Sequence, residues 1–143
     1  CLLLAFGGIE ARVLGVAHAG WRGMAAGVIE NTVELMKEFG ADPARIHAVG
    51  SASIGRCCFE VGDDVVQALG AEHVQSRSGE KAMFDFRSAA KARLARAGVA
   101  GERVAIEAAC TCCSTETFFS HRRATRDGSN RTGRMALIAW ISE

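Results

Sequence analysis

The sequence predicts an α+β fold, and three observations lead to that prediction. Short apolar segments rich in β-branched residues indicate strands, and longer segments with apolar residues at helical spacing indicate helices. The two kinds are interspersed without the regular alternation of a doubly wound sheet. The chain has neither a Gly-x-Gly-x-x-Gly fingerprint nor a Walker phosphate loop. We therefore expect layered sheets with flanking helices in one domain of 143 residues.

Five segments are predicted to form strands. Residues 1–6 (CLLLAF) and 11–17 (ARVLGVA) are apolar runs joined by the turn GGIE, so they can pair as a hairpin. Because residues 1–6 have the character of an interior strand, we expect the natural protein to have further residues upstream of Cys1. The other predicted strands are 45–50 (RIHAVG), 103–108 (RVAIEA) and 135–141 (MALIAWI).

Three segments are predicted to form helices. Between Met24 and Phe39 the apolar residues recur at helical spacing, and Gly40 is a typical stop. Residues 62–70 (GDDVVQALG) predict a short helix whose first turn carries two acidic residues, as the helix dipole favours. Residues 86–98 predict a third helix, with Asp85 placed to cap it.

The composition is that of a globular domain with a core, since 49% of residues are hydrophobic and 23% are charged. The net charge of +1 argues against a protein that binds nucleic acid over its whole surface. No apolar run is long enough to span a bilayer, and the first residues lack the basic region of a secretory signal, so we expect no membrane partner. Composition indicates no oligomeric state.

Six cysteines occur in the chain, and two of their groups are vicinal, which suits disulfide bridging badly. With a full hydrophobic complement and no signal sequence in view, reduced thiols in the cytoplasm are expected. The CxxC at Cys110–Cys113 is not followed by a second pair at zinc-ribbon spacing, so it predicts buried structural thiols rather than a metal site. The cysteines are Cys1, Cys57, Cys58, Cys110, Cys112 and Cys113.

A predicted strand ends at His18, and a Gly-Trp-Arg-Gly turn and a helix follow at once. Gly20 and Gly23 permit a close backbone approach, Arg22 adds a fixed charge, and a helix N-terminus favours anions. This combination predicts a site for a phosphate or an oxyanion. The alternatives are a histidine bonded to a backbone carbonyl and glycines that serve only turn geometry.

The predicted hairpin can bring Cys1 close to His18. A thiolate and an imidazole together can bind zinc with a coordination position left open, or the imidazole can activate the thiol as a nucleophile. Cys1 can also be a small apolar residue of a buried strand. The sequence alone leaves these alternatives open.

Residues 117–134 predict a strand edge that continues into a long basic loop. Arginines at 122, 123, 126, 131 and 134 with few acids nearby favour an anionic partner over a merely solvated surface. No aromatic residue lies between these arginines, which argues against stacking on single-stranded nucleic acid.

Several motifs together resemble the YfiH-like family, also called the laccase-domain or multicopper polyphenol oxidase family and described as purine nucleoside phosphorylases. They follow the family order over essentially the whole chain. They are HAGWRG (18–23), AAGVIENTVELM (25–36), IGRCCFEVG (54–62), CT (110–111), ETFFSHRR (116–123) and TGRMALIAW (132–140).

The resemblance implies an α/β/β/α sandwich with mixed sheets, shared with bacterial toxin deamidases of the cysteine-hydrolase type. It also implies a zinc site of two histidines and one cysteine. Cys1 falls where the family has the cysteine of Asp-Cys-x-Pro, and His18 opens HAGWRG, so both are expected to be catalytic metal ligands. The other histidine belongs to an N-terminal portion absent from this chain. Leu3 replaces the motif's proline, and His121 stands where the family usually has tyrosine.

The activities implied by the resemblance are phosphorolysis of adenosine, inosine, guanosine and methylthioadenosine, and deamination of adenosine. Purine nucleosides and phosphate are therefore the expected partners. The residues expected to bind substrate are Gly20, Arg22, Gly23, Arg122, Arg123 and Arg134. Copper-dependent phenol oxidation, the older family assignment, is disfavoured because the sequence lacks multi-histidine clusters. The alternatives are a metal-free hydrolase or deamidase with a Cys1 nucleophile, and a nucleic-acid-binding module.

Overall fold

The computed structural model describes residues 1–129 and 131–142. Within these ranges the chain forms seven strands and five α-helices. The strands are β1 (Leu2–Gly8), β2 (Val13–Ala19), β3 (His47–Gly50), β4 (Glu60–Val61), β5 (Val74–Ser78), β6 (Lys81–Phe84) and β7 (Val104–Ile106). The helices are α1 (Trp21–Ala25), α2 (Val28–Glu38), α3 (Asp63–Leu69), α4 (Phe86–Arg96) and α5 (His121–Arg126). No helix in these ranges is long and apolar enough to cross a membrane.

The first sheet has four strands in the order β2-β1-β3-β7. Strand β1 pairs antiparallel with both β2 and β3, whereas β3 and β7 are parallel. The predicted hairpin is therefore confirmed, with Leu3 opposite His18 in the register. The α+β class with mixed sheets is confirmed as well.

The second sheet has three antiparallel strands in the order β4-β6-β5. The sequence analysis did not predict it. Strand β5 is polar and largely exposed, and β4 is only two residues long, so neither has the apolar periodicity that indicates a strand.

One face of the first sheet is the principal buried surface. Leu2, Leu4 and Phe6 alternate along β1 and are fully buried, and α2 packs against this side of the sheet through an apolar stripe that includes Ile29 and Val33. Burying one such side chain contributes about 1.5–3 kcal/mol relative to leaving it in water. The core continues through Phe84, Phe86 and Leu94 to the second sheet and α4.

The helix predicted from Met24 to Phe39 is two helices. Gly27 has a φ of 81°, a left-handed conformation that interrupts the helix between α1 and α2. The helices predicted at 62–70 and 86–98 are confirmed as α3 and α4, and the Asp85 carboxylate caps α4 by accepting a hydrogen bond from the Ser88 N–H at 3.0 Å.

The prediction for the C-terminal part of the chain is wrong in two respects. Residues 135–141 form no strand, and Ile138 and Trp140 are 80% and 77% exposed, because this segment pairs with no strand of the described residues. The predicted loop at 117–134 contains α5, which begins where the Ser120 hydroxyl accepts a hydrogen bond from the Arg123 N–H. Position 130 of that loop lies outside the described residues.

Candidate active site and thiol cluster

The chemically active side chains gather at one edge of the first sheet. Because β1 is antiparallel to β2 and β3, and β7 is parallel to β3, the strands β2, β3 and β7 all end at the edge where β1 begins. Cys1 precedes β1 and His18 lies near the end of β2. The loops after β3 and β7 carry the other five cysteines.

Cys1 and His18 converge beside Gly20. A Cβ placed on Gly20 would be 3.6 Å from His18 Nε2 and 3.7 Å from Cys1 Sγ, so glycine leaves the space between them open. Both residues are exposed. The expected juxtaposition is therefore present in the geometry. Their role as metal ligands remains a prediction.

The turn after His18 is tightly packed. A Cβ on Gly23 would lie 3.2 Å from the His18 carbonyl oxygen, which explains the second glycine. Arg22 is exposed and its guanidinium carbon lies 4.4 Å from the Trp21 ring centroid, a cation–π arrangement. Helix α1 spans only five residues, so Arg22 rather than a long helix dipole supplies the positive charge here.

The three late arginines with predicted substrate roles lie in different environments. Arg122 donates to the carbonyl oxygens of Cys58 and Glu60 at 3.4 and 2.8 Å. Arg123 donates to the carbonyls of three residues between 111 and 118 and so organises that loop. Arg134 is exposed in a segment without regular secondary structure. Anion binding by these three residues stays a prediction, and for two of them the structure shows a positioning role.

Four cysteines form a cluster that the sequence analysis did not foresee. The Sγ atoms of Cys57, Cys58, Cys110 and Cys113 lie within 4.8 Å of one another, close enough to serve as the ligands of one metal ion. The sulfur of Cys113 is 3.6 Å from that of Cys57 and 3.4 Å from that of Cys58. The prediction of buried structural thiols in the CxxC is wrong for Cys113, which is exposed, and holds for Cys112, which is buried. Cys57 is exposed as well.

Hydrogen bonds distinguish the thiols of this cluster. Burial raises the pKa of Cys57 and Cys58, and hydrogen bonds with Cys113 raise both further. Burial also raises the pKa of the Cys110 thiol, but hydrogen bonds from the backbone N–H groups of Gly55 and Cys113, among others, outweigh burial and lower that pKa from 9.0 to about 6. Cys110 therefore ionises before Cys57 and Cys58 as pH rises.

The Arg87 guanidinium holds the two cysteine-bearing loops together. It donates to the side-chain and backbone oxygens of the fully buried Ser53, at 3.2 and 3.0 Å. It also donates to the carbonyls of Ala108 and Ala109, at 2.6 and 2.5 Å. The Thr111 N–H adds a further bond to the Ser53 carbonyl at 3.0 Å. The hydrogen bonds of Arg87 to four acceptor oxygens thus hold the loop after β3 close to the loop after β7.

Gly55 allows the cluster to be compact. Its N–H donates to Cys110 Sγ at 3.1 Å. A Cβ at this position would lie 3.0 Å from Cys110 Cβ and 3.3 Å from the sulfurs of Cys110 and Cys57, which is closer than real Cβ atoms usually come. Glycine is therefore favoured here, because a larger residue would have to displace the Cys110 and Cys57 side chains.

The cluster had a detectable signal in the sequence. The predicted strands 45–50 and 103–108 each lead into a loop with cysteines, and parallel neighbours would place those loops side by side. In the structure β3 and β7 are parallel neighbours, which places the two cysteine-bearing loops side by side. No local motif in the sequence indicates that these two strands pair.

Two open cavities lie near this edge. One of about 460 Å³ is lined by three basic side chains, Arg56, Arg87 and Lys91, together with Asp85. The other, of about 390 Å³, is lined by residues of α5 and the segment after it, including Arg131. Neither cavity includes Cys1 or His18 in its lining.

Comparison with known families places the chain clearly. A family model described as "multi-copper polyphenol oxidoreductase laccase" matches residues 1–142. Purine nucleoside phosphorylase YfiH of Escherichia coli K12 is 37% identical over 99% of this chain and 56% of its own length. Adenosine deaminase RL5 from an unknown prokaryotic organism is 38% identical over 80% of this chain and 46% of its own length. The chain spans about half the length of these relatives.

Solved structures agree with this placement. A Bacillus licheniformis protein called YfiH superposes with a TM-score of 0.83 at 28% identity, covering 87% of this chain and 50% of that one. YlmD from Geobacillus stearothermophilus gives a TM-score of 0.77 at 33% identity, covering 87% of this chain and 49% of that one.

Proposed function

This chain belongs to the multi-copper polyphenol oxidoreductase laccase family, and we propose that the protein containing it is a zinc-dependent purine nucleoside phosphorylase with adenosine deaminase activity. The relatives named for these two reactions support the proposal. We place the enzyme in the cytoplasm, where its thiols stay reduced.

One observation supports this function most directly: Cys1 Sγ and His18 Nε2 converge on the open space beside Gly20. One thiolate and one imidazole are donors that suit zinc, and they leave coordination positions for a further protein ligand and for a reacting molecule. When bound there, zinc supplies Lewis-acid chemistry. This chain provides two of the ligands and positions them through the β1–β2 pairing.

Phosphorolysis transfers the ribosyl group from the purine nitrogen to phosphate. A phosphate oxygen forms a bond to the ribose anomeric carbon while the carbon–nitrogen bond breaks, and the purine leaves with the electron pair and takes up a proton. The chain's contribution is to hold the phosphate dianion, which requires fixed positive charge.

Among the predicted substrate-binding arginines, Arg22 and Arg134 are exposed and therefore accessible to phosphate, and Arg22 lies in the turn that follows His18. Gly20 and Gly23 keep the backbone of the turn close to the site. Arg122 and Arg123 act by organising the neighbouring loops through backbone carbonyls.

A metal-free hydrolase or deamidase is the second candidate, because the proximity that suits zinc also suits a thiol activated by an imidazole. Oxidation of phenols with copper is not supported. In the described ranges the one group of three or more metal-ligating side chains contains cysteines and no histidine, whereas multicopper sites require clustered imidazoles.

The test uses the full-length protein, loaded with zinc, and adenosine as substrate. Adenosine is incubated with and without phosphate and the products are separated by chromatography. Adenine formed only with phosphate supports phosphorolysis, and inosine formed in both reactions supports deamination. Turnover that survives complete zinc removal would favour the thiol hydrolase, and no conversion in any reaction would contradict the proposal.

A further inference from the structure

We propose that Cys57, Cys58, Cys110 and Cys113 form a second, structural zinc site, separate from Cys1 and His18. The proposal concerns the four-cysteine cluster alone. It does not depend on the nucleoside chemistry, so the two proposals can fail independently.

The spacing of the sulfurs fits a tetrahedral ion. Zinc–thiolate bonds of about 2.3 Å require sulfurs about 3.8 Å apart at the corners of a tetrahedron. Cys113 Sγ lies 3.6 Å from Cys57 Sγ and 3.4 Å from Cys58 Sγ. All four sulfurs fall within 4.8 Å of one another, so small side-chain rotations are sufficient to complete the coordination shell.

The donor set selects the metal class. Four thiolates are soft ligands, and tetrahedral S₄ coordination favours zinc over magnesium, calcium or manganese, which prefer oxygen. Binding is a proton exchange without oxidation: each cluster thiol that is still protonated loses its proton to solvent, and four Zn–S bonds form. The step therefore needs no co-reactant besides the metal ion.

The surroundings provide partners for the negative charge that four thiolates bring. The Gly55 N–H already donates to Cys110 Sγ at 3.1 Å, and a hydrogen bond of this kind holds a metal ligand in its orientation. Arg122 donates to the Cys58 carbonyl, which places a guanidinium beside the cluster. The absence of a side chain at Gly55 leaves room for the sulfurs to close around an ion.

The location indicates a structural role. With four protein ligands, no coordination position remains for a substrate, as in closed zinc sites. The site would join the loop after β3 to the loop after β7, two segments more than 50 residues apart in the chain. The segment from 107 to 120 contains no helix or extended strand of its own, so a metal cross-link would order the approach to α5.

A disulfide is the competing use of these thiols. Cys113 Sγ is almost equally close to the sulfurs of Cys57 and Cys58, so the geometry favours no single disulfide partner for it. A disulfide would also require an oxidant. The zinc site uses all four sulfurs in one structure.

The experiment measures zinc in the full-length protein carrying Cys1→Ala and His18→Ala, which removes the other candidate site. We expect about one zinc per chain by mass spectrometry and an X-ray absorption shell of four sulfurs at about 2.3 Å. Adding Cys110→Ser and Cys113→Ser should lower the zinc content at least about tenfold. Cys112→Ala is the matched control, because it removes a neighbouring cysteine outside the cluster, and it should retain the metal.

Two results would overturn the proposal. One is a zinc-free background protein whose intact mass is lower by the two hydrogens of a disulfide. The other is a metal shell dominated by nitrogen or oxygen. Zinc with four sulfurs in this background, together with an unsubstituted full-length protein that does not convert adenosine, would contradict only the nucleoside function.

Discussion

The Cys1–His18 pair and the four-cysteine cluster lie at the same edge of the same sheet, yet they are built in opposite ways. The pair comes from two adjacent strands of one hairpin, so its members are close in both sequence and space. The cluster comes from loops after β3 and β7, whose parallel pairing brings residues 57–58 beside 110–113.

This difference in construction indicates which chemical role suits the Cys1–His18 pair and which suits the four-cysteine cluster. The pair offers two ligands and an open space, an arrangement suited to chemistry on a bound molecule. The cluster offers four ligands and no open position, an arrangement suited to holding two loops. Changes at the first region should therefore alter turnover, and changes at the second should alter metal content and stability.

The largest expected effect is the loss of activity in His18→Ala. Removing an imidazole from the pair should lower kcat/KM for phosphorolysis by at least about 10²-fold, while zinc held by the cluster stays bound. His47→Ala is the matched control. His47 starts β3 at the opposite edge of the sheet, and its imidazole forms a hydrogen bond with the Arg103 guanidinium. Equal loss of activity in both variants would show that His18 has no special role.

The second-largest expected effect is the loss of thermal stability when zinc is removed from the four-cysteine cluster. In the Cys1→Ala/His18→Ala protein, zinc at a thousand times its Kd adds about 4 kcal/mol to the free energy of unfolding. Chelation should therefore lower Tm by about 10 °C, as measured by calorimetry. The same treatment of the protein that also lacks Cys110 and Cys113 should leave Tm unchanged. A shift of the same size there would place the stabilising metal elsewhere.

Arg87→Ala tests the link between the two loops of the cluster. The substitution leaves the Ala108 and Ala109 carbonyls and the buried Ser53 hydroxyl without the arginine donor, while the Ser53 carbonyl keeps only the Thr111 N–H. The free energy of unfolding should therefore fall by about 2 kcal/mol. Zinc affinity should fall about 10- to 100-fold, because Arg87 no longer holds the loops that orient the cysteine ligands. Denaturant unfolding and zinc titration measure the two effects. Arg96→Ala, an exposed change on the same helix, should alter stability by less than about 0.5 kcal/mol.

The smallest expected effects come from a pair of glycine substitutions. Gly55→Ala places a methyl group 3.0–3.3 Å from the atoms of Cys110, so it should cost about 1 kcal/mol of stability by overpacking. In Gly20→Ala the added methyl group makes only ordinary contacts of 3.6–3.7 Å, so the free energy of unfolding should not change. Because the methyl group occupies the space between Cys1 and His18, turnover should be slower. Thermal unfolding measures the stability of the two variants, and adenosine assays measure their turnover. A destabilised Gly20→Ala with normal turnover would contradict this interpretation.

Local patterns were sufficient to predict the hairpin, α3, α4 and the Asp85 cap. Each depends on residues within one or two turns of the chain, where apolar spacing and capping chemistry decide the structure. The split between α1 and α2 was missed because the glycine at position 27 was compatible with the helical spacing around it. Its left-handed conformation, with a φ of 81°, is open to glycine and interrupts the helix there.

Strand prediction failed at 135–141 because apolar periodicity indicates a strand only where a partner is available. These residues are apolar but pair with no strand of the described residues, and several are largely exposed. The polar β5 shows the reverse case, since it forms a strand by pairing with β6 despite its exposed side chains.

By itself, the sequence determined the hairpin and therefore the meeting of Cys1 with His18, because a short turn between two apolar runs leaves few ways for them to pair. Only the tertiary structure decided that Cys57 and Cys58 meet Cys110 and Cys113. That contact depends on the parallel pairing of β3 with β7 and on the acceptors gathered around Arg87, and such long-range relations leave no local pattern in the chain.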